Sequence, residues 1–149
     1  MKKGIIFAFL LLPVLGFCQE YLNRTHAVVM SDLQKHKKEK TILAGADSLI
    51  RVTTKGKDGN SVSYIYRFDK SGKCISERVT TACESCYKNL LQAQLKTGKY
   101  GWTKINENQY VSKFEDKMTI ELPVEKDEYF FTIMRTDWSR TLYDLLIKK

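Results

Sequence analysis

The chain has 149 residues, with 25 lysines and arginines against 17 acidic residues for a formal net charge of +8, 43% hydrophobic residues, four cysteines and two prolines. That length and apolar content suit one ordinary domain with a sizeable core. No Pro/Gly/Ser-rich linker or low-complexity run interrupts it, which excludes a string of linked domains.

The opening MKKGIIFAFLLLPVLGFCQE has a basic start at Lys2 and Lys3, an apolar stretch from Ile5 to Val14, a breaker at Pro13 and turn residues ending near Cys18. This is the order and length of a secretory signal. A membrane-spanning helix needs about 20 apolar residues, and Gln19, Glu20 and Asn23 follow too soon for one. A bacterial lipoprotein signal places a small residue before its lipid-bearing cysteine. Phe17 departs from that, so cleavage after Cys18 is expected, leaving residues 19–149 as a single domain that starts at Gln19. In this organisation the chain resembles small exported proteins of Gram-negative bacteria, and the resemblance implies a periplasmic or secreted address. Without Lys2 and Lys3, 23 basic residues face 17 acidic ones, a net charge of +6. In an exported chain such a charge points to an acidic envelope protein, a glycan or lipid head groups as partners, and not to nucleic acid.

Along the mature chain, Leu22, His26, Val29 and Leu33 recur at helical spacing, which predicts a helix over 23–40 with Lys35, Lys37, Lys38 and Lys40 at its carboxyl end. SLIRVTT, near 48–54, predicts a strand, and KGKDGN its turn. In SVSYIYRFD, Val62, Tyr64, Tyr66 and Phe68 alternate with Ser61, Ser63, Ile65 and Arg67. That is the period of a strand with one packed face. DKSGK turns the chain into an antiparallel neighbour, KCISERVTT. Tyr87, Leu90, Leu91 and Leu95 predict a helix over 84–96 with Gly98 as its stop. YGWTKIN, QYVSKFE, KMTIELPV and EYFFTIMR predict four more strands. Met118, Ile120, Leu122 and Val124 alternate in the third, and Pro123 there predicts an edge position. Last, Trp138, Leu142, Leu145 and Leu146 predict a short docking helix.

These elements predict an α+β domain: an antiparallel sheet with helices packed on one face and an α-β-β-β pseudo-repeat. The layout resembles small exported inhibitor and binding modules, including β-lactamase-inhibitor-like folds. This likeness is one of architecture and implies no activity by itself.

Cys83 and Cys86 fall where a helix start would favour a thiolate, so the pair is either a redox motif or a structural clip. Thioredoxin-like sites sit in a βαβ context that is missing here. Zinc needs about four nitrogen or sulfur ligands, and His26 and His36 form no ligand pair with the cysteines. The sequence therefore names no metal and no cofactor, and no catalytic residues, since it lacks a Gly-rich phosphate loop, a GxSxG turn and an HExxH pair. A straight strand from Cys74 rises about 3.3 Å per residue, too far for a bridge from Cys74 to the helix start. Cys83 with Cys86 is the expected disulfide and Cys74 the expected free thiol, unless the strand bends. The run Lys99, Tyr100, Trp102 and Lys104 interleaves cations and rings and is the candidate binding surface. The sequence thus predicts a non-enzymatic exported binding or inhibitory module, monomeric or weakly dimeric. A thiol–disulfide protein working through Cys83 and Cys86 is the alternative.

Overall fold

A computed structural model describes residues 21–35, 40–44, 48–56, 59–125 and 128–148. The expected leader 1–18 with Cys18, and His36, lie outside the described residues. In chain order the elements are helix α1 (His26–Lys35), strands β1 (Lys40–Ala44), β2 (Leu49–Lys55), β3 (Ser61–Phe68) and β4 (Cys74–Thr81), helix α2 (Glu84–Lys96), strands β5 (Thr103–Asn106), β6 (Gln109–Val111), β7 (Met118–Glu121) and β8 (Phe130–Arg135), and helix α3 (Arg140–Ile147). The eight strands form one antiparallel sheet in the order β1-β2-β3-β4-β8-β7-β6-β5. Two four-stranded meanders are thereby joined along β4 and β8, where Thr80 faces Phe130 and Ser76 faces Met134.

The turn chemistry that makes the first meander is local. After β3, the Asp69 carboxylate accepts hydrogen bonds from the Ser71 and Lys73 amides at 2.8 and 3.0 Å and from the Ser71 hydroxyl at 2.6 Å. These bonds stabilise the anion and hold the Asp69 carboxyl below its ordinary range, the Ser71 hydroxyl contributing most. Gly72 closes the same turn at φ +76°, a conformation an L side chain resists.

Register assigns the two faces. Ile50 pairs with Tyr66, Val52 with Tyr64, Tyr66 with Glu77, Tyr64 with Val79, Glu77 with Ile133 and Ile133 with Ile120. Successive strand residues alternate between faces, so these residues share one side. Helix α1 lays Val29 and Leu33 on that side, and α2 adds Tyr87, Leu90, Leu91 and Leu95. Ile50, Ile120, Ile133 and Phe131 are fully buried there. Each such side chain contributes on the order of 1.5–3 kcal/mol by leaving water.

Helix α3 stands apart at the β5–β6 end. Its Tyr143 hydroxyl donates to the Ser112 carbonyl at 2.9 Å, and its ring meets Phe114 edge-on. The buried Val111 lies out of phase with Tyr110, which packs against the main core. This end therefore has a small packing centre of its own.

Several local expectations are corrected. Lys40 opens β1 instead of closing α1; Thr41-Ile42-Leu43 is too short to show a period and becomes a strand through its pairing with β2. Each half is consequently α-β-β-β-β; the first gains β1, and the second has the four strands expected of it. QYVSKFE keeps only three strand residues, because the Ser112 hydroxyl takes the Met118 amide and Lys113 bonds the Tyr100 carbonyl, diverting the chain into a 3-10 turn at Phe114–Asp116. Strand β7 lies between β6 and β8 and stops before Pro123, so it is no edge strand. Val124 is 87% exposed, outside the expected alternation. Helix α2 ends through the Thr97 hydroxyl on the Gln94 carbonyl at 2.6 Å, not through a left-handed Gly98. In α3 the docked residue is Tyr143, while Leu142 and Leu145 are 46% and 64% exposed.

Candidate functional site

Cys83 forms the N-cap of α2 in extended backbone, and its sulfur accepts the Cys86 amide at 3.1 Å. The two cysteines are joined in a disulfide with a Cα separation of 5.1 Å, and both are half-buried. Glu84 in the first turn complements the helix dipole and pairs with Lys88 at 2.6 Å. Cys74 is a buried free thiol at the other end of β4. Burial, and next the charge of Glu77, push its pKa up to about 12. It is therefore a thiol, not a thiolate, at neutral pH, and inert. Among the described residues no group of three or more His, Cys, Asp and Glu is placed to hold a metal ion. His26 is half-buried with its ring against Phe68, and its Nε2 has no hydrogen-bond partner among the described residues.

The cluster expected from sequence is not one open surface. Tyr100 is only 9% exposed and belongs to the main core. Lys99 places its ammonium 5.1 Å from the Tyr100 ring centre, and Trp102 packs half-buried beside Tyr100. Lys104 lies exposed on edge strand β5 and pairs with Glu107. The two lysines thus flank core rings, and no aromatic platform is left open between them. The other aromatic runs are also absorbed. Tyr66 and Phe68 are buried, and Tyr87 packs against Tyr129 and Phe131.

The sheet face opposite α1 and α2 was not singled out by sequence. Its central row runs Arg51 on β2, Ile65 on β3, Arg78 on β4, Thr132 on β8 and Glu121 on β7, each facing the next across the ladder. The row beside it is Thr53, Ser63, Thr80 and Phe130, with the Thr53 and Ser63 hydroxyls 3.1 Å apart. On the other side stand Arg67, Ser76 and Met134. Arg51 and Arg67 are exposed, and Arg78, Ile65, Thr53, Ser63 and Thr132 are half-buried. Arg78 lies over the Phe130 ring, 3.6 Å from its centre. Among the described residues, none of these three arginines forms an ion pair; Ser76 beside Arg67 is buried, and at the β5–β6 end of this same face, where α3 docks, Val111 and Thr119 are buried. The signal was available as the residues out of phase with Tyr64, Tyr66 and Phe68. It becomes a cluster only once register sets the three strands side by side.

On the helix-covered side, Glu77 is fully buried at the centre of β4, between Tyr66 and Ile133. Sequence reasoning passed over it because Ser76-Glu77-Arg78 reads as polar strand surface. No helix among the described residues is long and apolar enough to cross a membrane. Comparisons with protein-family models, with curated proteins and with solved structures find no match to this chain.

Proposed function

We propose that the protein is an exported binding or inhibitory module of the bacterial envelope that engages an acidic partner on the uncovered face of its sheet. The observation that carries this reading is the row Arg51, Ile65 and Arg78, with Arg67 beside it: cations without ion pairs among the described residues, on a rigid, helix-backed surface. Strand residues hold side chains in fixed relative positions, and arginine forks recognise planar anions bidentately. The signal-like opening, residues 1–18, supports the address.

The test is affinity capture from an envelope extract with three forms of the protein. Ser63→Tyr and Thr132→Trp each put a large ring on the uncovered face. Lys99→Ala/Lys104→Ala removes the cations of the flanking run. The reading expects a partner held by the wild type and the lysine variant and lost by both face variants while their circular dichroism is unchanged. Loss in the lysine variant alone overturns it.

A second reading, a thiol–disulfide role, is favoured by one feature: the half-buried Cys83–Cys86 bridge caps α2. It requires a bridge that opens in glutathione buffers near about −200 mV. A structural clip stays closed until below about −300 mV.

A further inference from the structure

Resting on that reading of the uncovered face, we infer that its occupant is an extended segment of a partner protein carrying the pattern acidic-x-apolar-x-acidic. Its two carboxylates meet Arg51 and Arg78, and its apolar side chain covers Ile65.

Arg51 and Arg78 flank Ile65 directly across neighbouring strands, which puts their backbones about 10 Å apart at the usual strand spacing. Arg78 is drawn outward, toward β8, by its seat over Phe130. In an extended segment, side chains at i and i+4 lie on one side about 13 Å apart, with i+2 midway. Long arginine side chains span the remaining difference from the backbone spacing of Arg51 and Arg78. Two acids around one apolar residue match the spacing and the order charge, apolar, charge.

The chemistry of the patch separates protein from glycan. Sugar rings bind by stacking on open aromatic faces, and here the ring on the face, Phe130, carries the Arg78 guanidinium 3.6 Å over its centre. Ile65, half-buried at the centre of the row, gives an apolar side chain something to cover and offers a sulfate nothing. Arg67, two residues along β3, supplies a third cation for an acid beyond the row. Glu121, in the same row past Thr132 and exposed, repels an acid placed there. The segment's charge must therefore be concentrated over β2 to β4.

The experiment titrates the full exported chain with a capped synthetic peptide containing Glu-Ser-Leu-Ser-Glu. The comparison ligands are its Glu-to-Gln analogue, its Leu-to-Ser analogue and heparin as a sulfated glycan. The parent peptide is expected to bind at least about tenfold more tightly than either analogue, a difference of roughly 1.4 kcal/mol. Its affinity is expected to fall with added salt and to be lost in Arg51→Glu/Arg78→Glu. Because charge reversal on an exposed strand face can disturb folding, Arg51→Gln and Arg78→Gln are measured singly, each with an expected several-fold loss. Equal binding of all three peptides, or heparin binding through the same arginines without peptide discrimination, overturns the inference. If Ser63→Tyr still abolishes partner capture in that event, the uncovered face remains the binding surface and only the carboxylate pattern falls. If neither experiment responds, both fall.

Discussion

Replacing both bridged cysteines separates what the disulfide does for the fold from what its sulfur does for α2. The two residues are three apart, so the loop closed in the unfolded chain is very short, and the chain-entropy estimate for such a loop is about 2 kcal/mol. Cys83 is also the N-cap. Serine retains an acceptor there, whereas alanine does not, at a further cost of about 1 kcal/mol. Cys83→Ser/Cys86→Ser should therefore be less stable than the oxidised wild type by about 2 kcal/mol, and Cys83→Ala/Cys86→Ala by about 3 kcal/mol. Urea unfolding at 25 °C reads both as midpoint shifts at constant m-value, on the order of 1 M for slopes of about 2 kcal/mol per molar. Equal stability of the serine and alanine forms would refute the capping role. A serine form as stable as the oxidised wild type would refute the clip.

The buried thiol and the turns give four further expectations. Because burial raises Cys74 from 9.0 to about 12, the folded state holds a proton that the unfolded state releases. This contribution to stability is complete below pH 9 and is lost as the pH rises toward 12; Cys74→Ala should flatten that alkaline decline in a pH series of urea midpoints. The same thiol should resist iodoacetamide in the native protein at pH 8 and react once urea unfolds it, as mass spectrometry reads directly. Asp69 has the opposite sign: its lowered pKa adds stability above its ordinary value of 3.8 that disappears as the pH falls below it, so Asp69→Asn should narrow the gap between midpoints at pH 7 and pH 3. Gly101→Ala forces an L residue to φ +54° and sets its Cβ 2.7 Å from Lys113 Cε. It should cost about 1–2 kcal/mol by thermal or urea unfolding, with little recovery on adding Lys113→Ala, because the backbone strain remains.

Strands with a clean two-residue period were legible. Tyr64, Tyr66 and Phe68 name the packed face of β3, and the stripe Tyr87, Leu90, Leu91 and Leu95 delimits α2. The cysteine pairing was legible too, because the rise of a strand keeps Cys74 away from the helix start. Elements defined by a partner were not: β1 exists through its ladder with β2, and β6 is cut short by the side chain of Ser112. In α3, Trp138, Leu142, Leu145 and Leu146 marked a face by hydrophobicity, but a hydroxyl bond chose Tyr143 for docking. The placement of the candidate surface depended on a similar effect. Lys99, Tyr100, Trp102 and Lys104 are neighbours in sequence, and the turn before β5 packs the Tyr100 and Trp102 rings against the core. Arg51, Arg67 and Arg78 are spread over three strands and meet only through register. Glu77 shows the converse, a carboxyl side chain in the core at a position whose neighbours read as surface.

The most direct test is a map of backbone amide shifts of the labelled protein as the peptide containing Glu-Ser-Leu-Ser-Glu is added. Binding through the uncovered face predicts shifts concentrated at Thr53, Ser63, Ile65, Arg78 and Thr132, with α1 and α2 little changed. Shifts centred on Lys99 to Lys104, or on the Cys83–Cys86 turn, would contradict it.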